Sequence, residues 1–244
     1  FRLMGVKIKE LKNKIIIHGM GLNSLQKPNR EIQLGNSGTS ARLLTGLLSA
    51  QKFNTTLLGD KSLSLRPMKR ITDPLKLMNA KIETNKGFLP IKIYGRELKN
   101  IEIRINIPSA QIKSGIILAA LNVKEKSIIF ETNITRNHTE IMLKSYGANI
   151  KINNKIINLK GGKELKASKI TIPCDFSSAA FFIVAALIVK ESFIKLKNIN
   201  LNSTRIGLLK ALHLMGGKIK IKNKKNICGE TVGDIEVRYS KLKG

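Results

Sequence analysis

Two hydrophobic periods take turns along the chain. Ser37–Ala50, Ser109–Asn122 and Ser177–Val189 each open on serine and continue with small and apolar residues at helical spacing. Each predicted helix leads into a run rich in branched residues, at Thr55–Leu58, Ser127–Glu131 and Phe193–Leu196, and these runs read as strands. A second amphipathic helix follows at Met68–Asn79, Thr139–Tyr146 and Thr204–Met215. Alternating strands such as Lys218–Lys222 and Ile235–Tyr239 come next.

This succession is an internal repeat. An apolar-small-x-x-Ile signature recurs at Met4–Ile8, Met78–Ile82, Tyr146–Ile150 and Met215–Ile219. Its second positions, Gly5, Asn79, Gly147 and Gly216, are 74, 68 and 69 residues apart. The serine starts at Ser37, Ser109 and Ser177 keep the same phase, 72 and 68 residues apart. Helices alternating with strands throughout give an α/β (α+β) class. One unit of about 70 residues cannot bury both of its helices, so the units must pack on one another. Phe1–Gly5 reads as the end of a second helix and Ser240–Gly244 as the lead into a further unit, so three full units and the tail of another are expected.

Composition changes the picture in one respect. The formal net charge is +28, which raises nucleic acid as a partner. The lysines are spread over the whole chain, aromatics make up 5%, tryptophan is absent, and no aromatic-plus-basic strand motif occurs. A basic, solvated surface that attracts small polyanions is the expectation, with no specific nucleic-acid partner. The apolar run Ala179–Val189 is too short to span a bilayer and follows the capping residues Asp175 and Ser177, so it reads as a core helix. No stretch reads as a signal peptide. Cys174 and Cys228 make no disulfide framework, which suits a reducing cytoplasm. His18, His138 and His213 lack metal-ligand spacing.

Four segments carry candidate chemistry. Gly35–Arg42 opens the first Ser-rich helix, where free backbone N–H groups and the helix dipole suit an anion and Gly38 allows close approach. Pro108–Gly115 opens the second, with the amide of Gln111 and the ammonium of Lys113 within one turn of its start. The third start, Asp175–Ala179, has an anionic cap and no nearby cation in sequence, and reads as structural. Arg66, in Ser62–Met68, stands just ahead of a helix that Pro67 is expected to begin, and Arg136 holds the equivalent place in Thr135–Glu140. Guanidinium groups at such positions suit phosphate or carboxylate. Each segment also has an ordinary reading, as an N-cap or a surface ion-pair partner.

Taken in order, these motifs resemble the EPSP synthase (5-enolpyruvylshikimate-3-phosphate synthase) family. The likeness runs from Asn36-Ser37-Gly38-Thr39 through Leu65-Arg66-Pro67-Met68, Pro108–Ser114, Thr135–Glu140 and Asp175–Val189 to Asn202–Arg205 and Val237–Gly244. It implies βαβαββ units of the inverse α/β-barrel type in two lobes, with residues 1–168 in the first and 169–244 opening an incomplete second. It implies transfer of the carboxyvinyl group of phosphoenolpyruvate to the 5-hydroxyl of shikimate 3-phosphate, in a cytoplasmic enzyme, monomeric at full length, with no metal or organic cofactor and no membrane partner. Ser109, Ala110, Gln111, Arg136 and Thr39 are implied at shikimate 3-phosphate. Gly38, Arg66, Asn36 and again Gln111 are implied at phosphoenolpyruvate, whose site Thr39 also lines and which the inhibitor glyphosate occupies. The family's general acid and base are expected beyond Gly244, so the chain alone is expected to be inactive. A sister transferase acting on UDP-N-acetylglucosamine shares the fold, and a basic nucleic-acid-binding repeat protein is a reading from another class.

Overall fold

The structure, a computed structural model, describes residues 1–244. A single 3-10 turn at Arg2–Met4 leads into a hairpin of β1 (Lys7–Leu11) and β2 (Lys14–His18). The first repeat runs β3 (Ile32–Gln33), α1 (Gly38–Ser49), β4 (Asn54–Leu58), α2 (Lys61–Ser64), α3 (Lys69–Leu77), β5 (Lys81–Asn85) and β6 (Phe88–Tyr94). The second runs β7 (Glu102–Ile105), α4 (Ala110–Ala120), β8 (Lys126–Glu131), α5 (His138–Ser145), β9 (Asn149–Asn153) and β10 (Ile156–Lys160). The third runs α6 (Phe176–Ile188), β11 (Phe193–Asn200), α7 (Gly207–Leu214), β12 (Lys218–Ile227) and β13 (Glu230–Arg238).

The first two repeats build the same sheet twice, in the orders β3-β4-β6-β5 and β7-β8-β10-β9. In each, the first pair is parallel and joined through the Ser-started helix, and the other pairs are antiparallel. The third repeat forms an antiparallel sheet, β11-β13-β12, and a parallel bridge between Cys174 and Ile199 stands where the short first strand lies in its siblings. The repeated unit is therefore βαβαββ, the α/β class expected.

Local chemistry explains where the helices start and stop. The Ser37 side chain accepts from the Ser40 N–H at 3.1 Å, Ser109 from Ile112 at 3.5 Å, and Asp175 from Ser178 at 3.0 Å, each satisfying an orphan donor of the first turn. At the other end, the repeated small residue takes a left-handed conformation in all four copies, with φ of 84° at Gly5, 72° at Asn79, 84° at Gly147 and 85° at Gly216. Glycine and asparagine reach that region at least cost, which is why the signature keeps them there.

The chain folds into two compact units, Phe1–Thr135 with Tyr146–Ala167, and Arg136–Ser145 with Ser168–Gly244. In the first unit, α1 and α4 cross at glycines. A Cβ on Gly46 would collide with the Gly115 backbone, and one on Gly115 would meet the Arg42 carbonyl at 2.8 Å. That crossing, with buried Leu48, Ile71, Ile116 and Ile117 around it, brings the two helix starts side by side. In the second unit, Phe176, Ile183 and Leu187 of α6 pack on Ile199, Leu209, Leu212, Ile235 and Val237.

Two expectations are corrected here. The helix at α6 is only half a core helix, because Phe181 and Phe182 are 80% and 57% exposed. Within its unit there is one Ser-started helix, so nothing covers α6 as α1 and α4 cover each other. Pro67 begins no helix, since α3 starts at Lys69 with Met68 as its cap. The segment before it instead holds α2, whose Asp60 cap accepts from the Leu63 N–H at 2.7 Å.

Candidate functional site

The close helix crossing sets the geometry of one polar cluster in the first unit. The Arg42 guanidinium, one turn into α1, donates from Nη1 to Gln111 Oε1 at 2.9 Å and to the Gly38 carbonyl at 3.1 Å. Its other nitrogen reaches the Pro67 carbonyl at 3.5 Å. Gln111, in the first turn of α4, donates from Nε2 to Thr39 Oγ1 at 2.8 Å. An amide carries two N–H donors, so one remains for a ligand. Arg66 donates to Asn36 Oδ1, which closes the loop ahead of α3 onto the start of α1. One network of hydrogen bonds thus joins three segments that lie 25 to 72 residues apart.

Gly38 sits at the centre of this cluster, and it is buried. A Cβ there would approach Arg42 Nη1 at 2.8 Å and Arg66 Nη1 at 3.2 Å. Burial lowers the Arg42 pKa, and the positive charges of Arg66 and Arg70 lower it further. Guanidinium groups stay charged at any ordinary pH, so this is repulsion stored in the resting site. None of the hydrogen bonds from Arg42 or Arg66 goes to a carboxylate. An anion would relieve the repulsion among these guanidinium groups, and the N-termini of α1 and α4 offer it free N–H groups. Asn36, Gly38, Thr39, Arg66, Ser109, Ala110 and Gln111 all belong to this one unit.

Two expectations about charge fail at this level. Lys113 does not serve the start of α4 from outside. Its ammonium is fully buried and lies 3.1 Å from Glu131 on β8, whose other oxygen accepts from the N–H and hydroxyl of Thr135. The third helix start does have a cation. Arg205 pairs with Asp175 at 2.9 Å and also donates to Ser177. The Arg205 pairing was missed because thirty residues separate the partners. It strengthens the structural reading of that N-terminus.

Arg136 is exposed and belongs to the second unit. The residues beside it are tightly held. Asn202 donates to the Asn137 side chain at 2.8 Å, and the His138 ring lies 2.5 Å from Glu230, which also accepts from Asn200 and Asn202. Partial burial raises the Glu230 pKa, but the hydrogen bonds from His138 and Asn202 outweigh it and the net shift is downward. No group of three His, Cys, Asp or Glu residues comes together to hold a metal. No helix is long and apolar enough to cross a membrane.

Comparison with known proteins agrees with the motifs. Residues 1–243 match the family described as EPSP synthase (3-phosphoshikimate 1-carboxyvinyltransferase). A 3-phosphoshikimate 1-carboxyvinyltransferase of Ruthia magnifica subsp. Calyptogena magnifica is 47% identical, over 100% of this chain and 56% of that protein. One from Oceanobacillus iheyensis is 43% identical, over 100% of this chain and 57% of its own. The solved EPSP synthase of Acinetobacter baumannii superposes with a TM-score of 0.92 at 44% identity, covering 100% of this chain and 56% of that one. The chain thus spans little more than half the length of the relatives it matches. On its repeats, its motifs and a match over nearly every residue, the chain belongs to the EPSP synthase family.

Proposed function

We propose that this chain forms part of an enzyme that transfers the carboxyvinyl group of phosphoenolpyruvate to the 5-hydroxyl of shikimate 3-phosphate, in the cytoplasm, on the way to aromatic amino acids. The observation that carries the reading is the cluster at Gly38, where guanidinium groups without carboxylate partners share one side with two helix N-termini. Two anionic substrates need that environment. Ser109 and the backbone at Ala110 receive the phosphate of shikimate 3-phosphate, with Thr39 as a further contact. Gly38, Arg66 and Asn36 receive phosphoenolpyruvate. Gln111 is assigned to both substrates, and its hydrogen bonds, from Arg42 to its carbonyl oxygen and from its amide nitrogen to Thr39, support that assignment.

In the transfer, the 5-hydroxyl gives up its proton as its oxygen bonds to the second carbon of phosphoenolpyruvate, while the third carbon takes a proton and becomes a methyl group. The tetrahedral species then loses one proton from that methyl group and expels phosphate, which restores the carbon–carbon double bond. The residues proposed here bind and orient, and hold negative charge as it moves between substrates. None of them is assigned the proton transfers. We also propose that residues 1–168 belong to one lobe and 169–244 to the next. The grouping of Ser168–Gly244 in one compact unit supports this, and that unit also takes in Arg136–Ser145. The relatives named above are all 3-phosphoshikimate transferases, which favours this reading over the sister enzyme.

The test is phosphate release with both substrates, measured on the protein at the length of its relatives. Release that requires both substrates and matches product formation is expected. A folded protein that releases none overturns the proposal. The 244-residue chain alone is expected to release no phosphate above background.

A further inference from the structure

The three-stranded sheet of the second unit presents two faces of opposite character. Ile194 and Leu196 of β11, Ile219 and Ile221 of β12, and Ile235 and Val237 of β13 point into the core. Side chains alternate along a strand, so their neighbours form the opposite, outward face. The register aligns that face in rows. Phe193, Arg238 and Lys218 stand opposite one another, then Lys195, Glu236 and Lys220, then Lys222 beside Asp234.

Lys195, Lys218, Lys220, Lys222 and Arg238 are all exposed. Asp234 and Glu236 offset part of their charge, with Lys222 and Lys195 at 2.9 and 3.7 Å from Glu236. The face remains cationic, and the hairpin beyond adds Lys224 and Lys225. Phe193 lies at its edge, 49% exposed, with the Arg238 guanidinium 4.3 Å from its ring centroid. Cations two residues apart on one strand are about 7 Å apart, a spacing that follows the phosphates of an extended single strand. A flat arginine stacked on a ring is a platform for a base.

We propose that this outward sheet face binds single-stranded nucleic acid without sequence preference, its lysines on the phosphates and the Phe193–Arg238 stack on a base. This is separate from the cluster at Gly38, which lies in the other unit. Charge complementarity selects the partner. A membrane surface would need apolar side chains to insert, and Phe193 is the only large apolar side chain in these rows.

The experiment uses the 244-residue chain and a fluorescent oligothymidylate of about ten nucleotides. A protein of charge +28 has some diffuse affinity for any polyanion, so the comparison is between two sets of four substitutions. One set changes Lys195, Lys218, Lys220 and Lys222 to Gln. The other changes Lys7, Lys9, Lys12 and Lys14 of the first hairpin, also exposed, to Gln. The sheet set should lower affinity at least tenfold and flatten the dependence of log K on log salt by about 0.7 per lysine, or about 3 in all. The hairpin set should change both by less than half as much. Phe193→Ala should weaken binding severalfold with the salt slope unchanged, since it removes stacking and no charge. Circular dichroism on each variant shows that the fold is kept. Equal losses from the two lysine sets overturn the proposal, and so does binding to phosphatidylserine vesicles without binding to the oligonucleotide.

Discussion

The N-termini of α1 and α4 and the N-terminus of α6 are copies of one element put to different uses. All three begin with a side-chain cap that satisfies a first-turn N–H. At α1 and α4 the cap is a neutral serine, and the cations nearby, Arg42 and Arg66, bond only to neutral oxygens. At α6 the cap is Asp175, and the nearby cation, Arg205, is neutralised by it. On the proposed function, a helix start serves as an anion site or as a structural joint according to whether its positive charge is already answered. A single carboxylate at the cap position decides which. The neighbourhood differs too. Gly46 and Gly115 let α1 and α4 approach until their starts cooperate, whereas α6 lacks such a partner in its unit.

The largest effect tests what holds the α4 start in place. Glu131→Ala strips the carboxylate from the fully buried Lys113 ammonium and removes two hydrogen bonds to Thr135. Breaking a buried pair from one side should cost about 3 kcal/mol, read from urea unfolding of the chain. A loss below about 1 kcal/mol would show that α4 does not depend on this anchor. Next in size is Gln111→Ala in the protein at its relatives' length. Losing an amide that ties Arg42 to Thr39 and is proposed to meet both substrates should lower kcat/KM by about ten- to a hundredfold, or 1–3 kcal/mol. Unchanged kinetics in a stable variant would return Gln111 to an ordinary place in a helix start.

How much of this was legible in the sequence depends on distance along the chain. The left-handed caps at Gly5, Asn79, Gly147 and Gly216 were readable, because few residues tolerate that backbone and the requirement is local. The helices were found to within one to three residues at most ends, since each carries its own cap and apolar stripe. Three elements escaped. The strands β3 and β7 have two and four residues, too few to show alternation, and their parallel pairing depends on strands 22 or more residues later. The one-turn helix α2 was hidden behind Pro67, which looked like a helix start and lies in the link between α2 and α3. In the site, residue types in motifs marked the right segments, but not which charge is answered. Lys113 turning inward to Glu131 and Arg205 turning to Asp175 are long-range electrostatic choices. They are made only when the fold supplies the partner.

A smaller effect is expected where the charge is answered. The Asp175 carboxyl is partly desolvated, which raises its pKa, yet the hydrogen bonds from Ser178 and the charge of Arg205 bring it below its ordinary value. A depressed carboxyl pKa stabilises the fold above the unfolded value near ~3.9, and that contribution fades as pH falls through the lower folded value. Asp175→Ala should therefore cost about 1 kcal/mol at neutral pH, mostly through the lost cap, the exposed ion pair adding little. The variant and parent should converge as pH falls below about 4. A deficit that is the same at pH 3 and pH 7 would mean the ionised form contributes nothing.

The smallest change in stability, and the sharpest probe of the open site, is Gly38→Ala. The backbone at Gly38 lies outside the left-handed region, so no conformational need keeps a glycine there. An added methyl would meet the ends of two flexible side chains, Arg42 Nη1 at 2.8 Å and Arg66 Nη1 at 3.2 Å, and both can yield by a few tenths of an ångström. Stability should change by less than about 0.5 kcal/mol, since the alanine also favours the helix. The consequence falls on the ligand instead, because the same groups are proposed to hold phosphoenolpyruvate. Glyphosate, the larger ligand expected at that site, should lose more binding than the substrate. In the protein at its relatives' length, its inhibition constant should rise by about tenfold, or 1.4 kcal/mol, with a smaller rise in the KM for phosphoenolpyruvate. Equal inhibition of parent and variant would place the methyl away from the ligand. The guanidinium cluster would then be a structural joint like that at α6, and the contrast between the helix starts would lose its functional meaning.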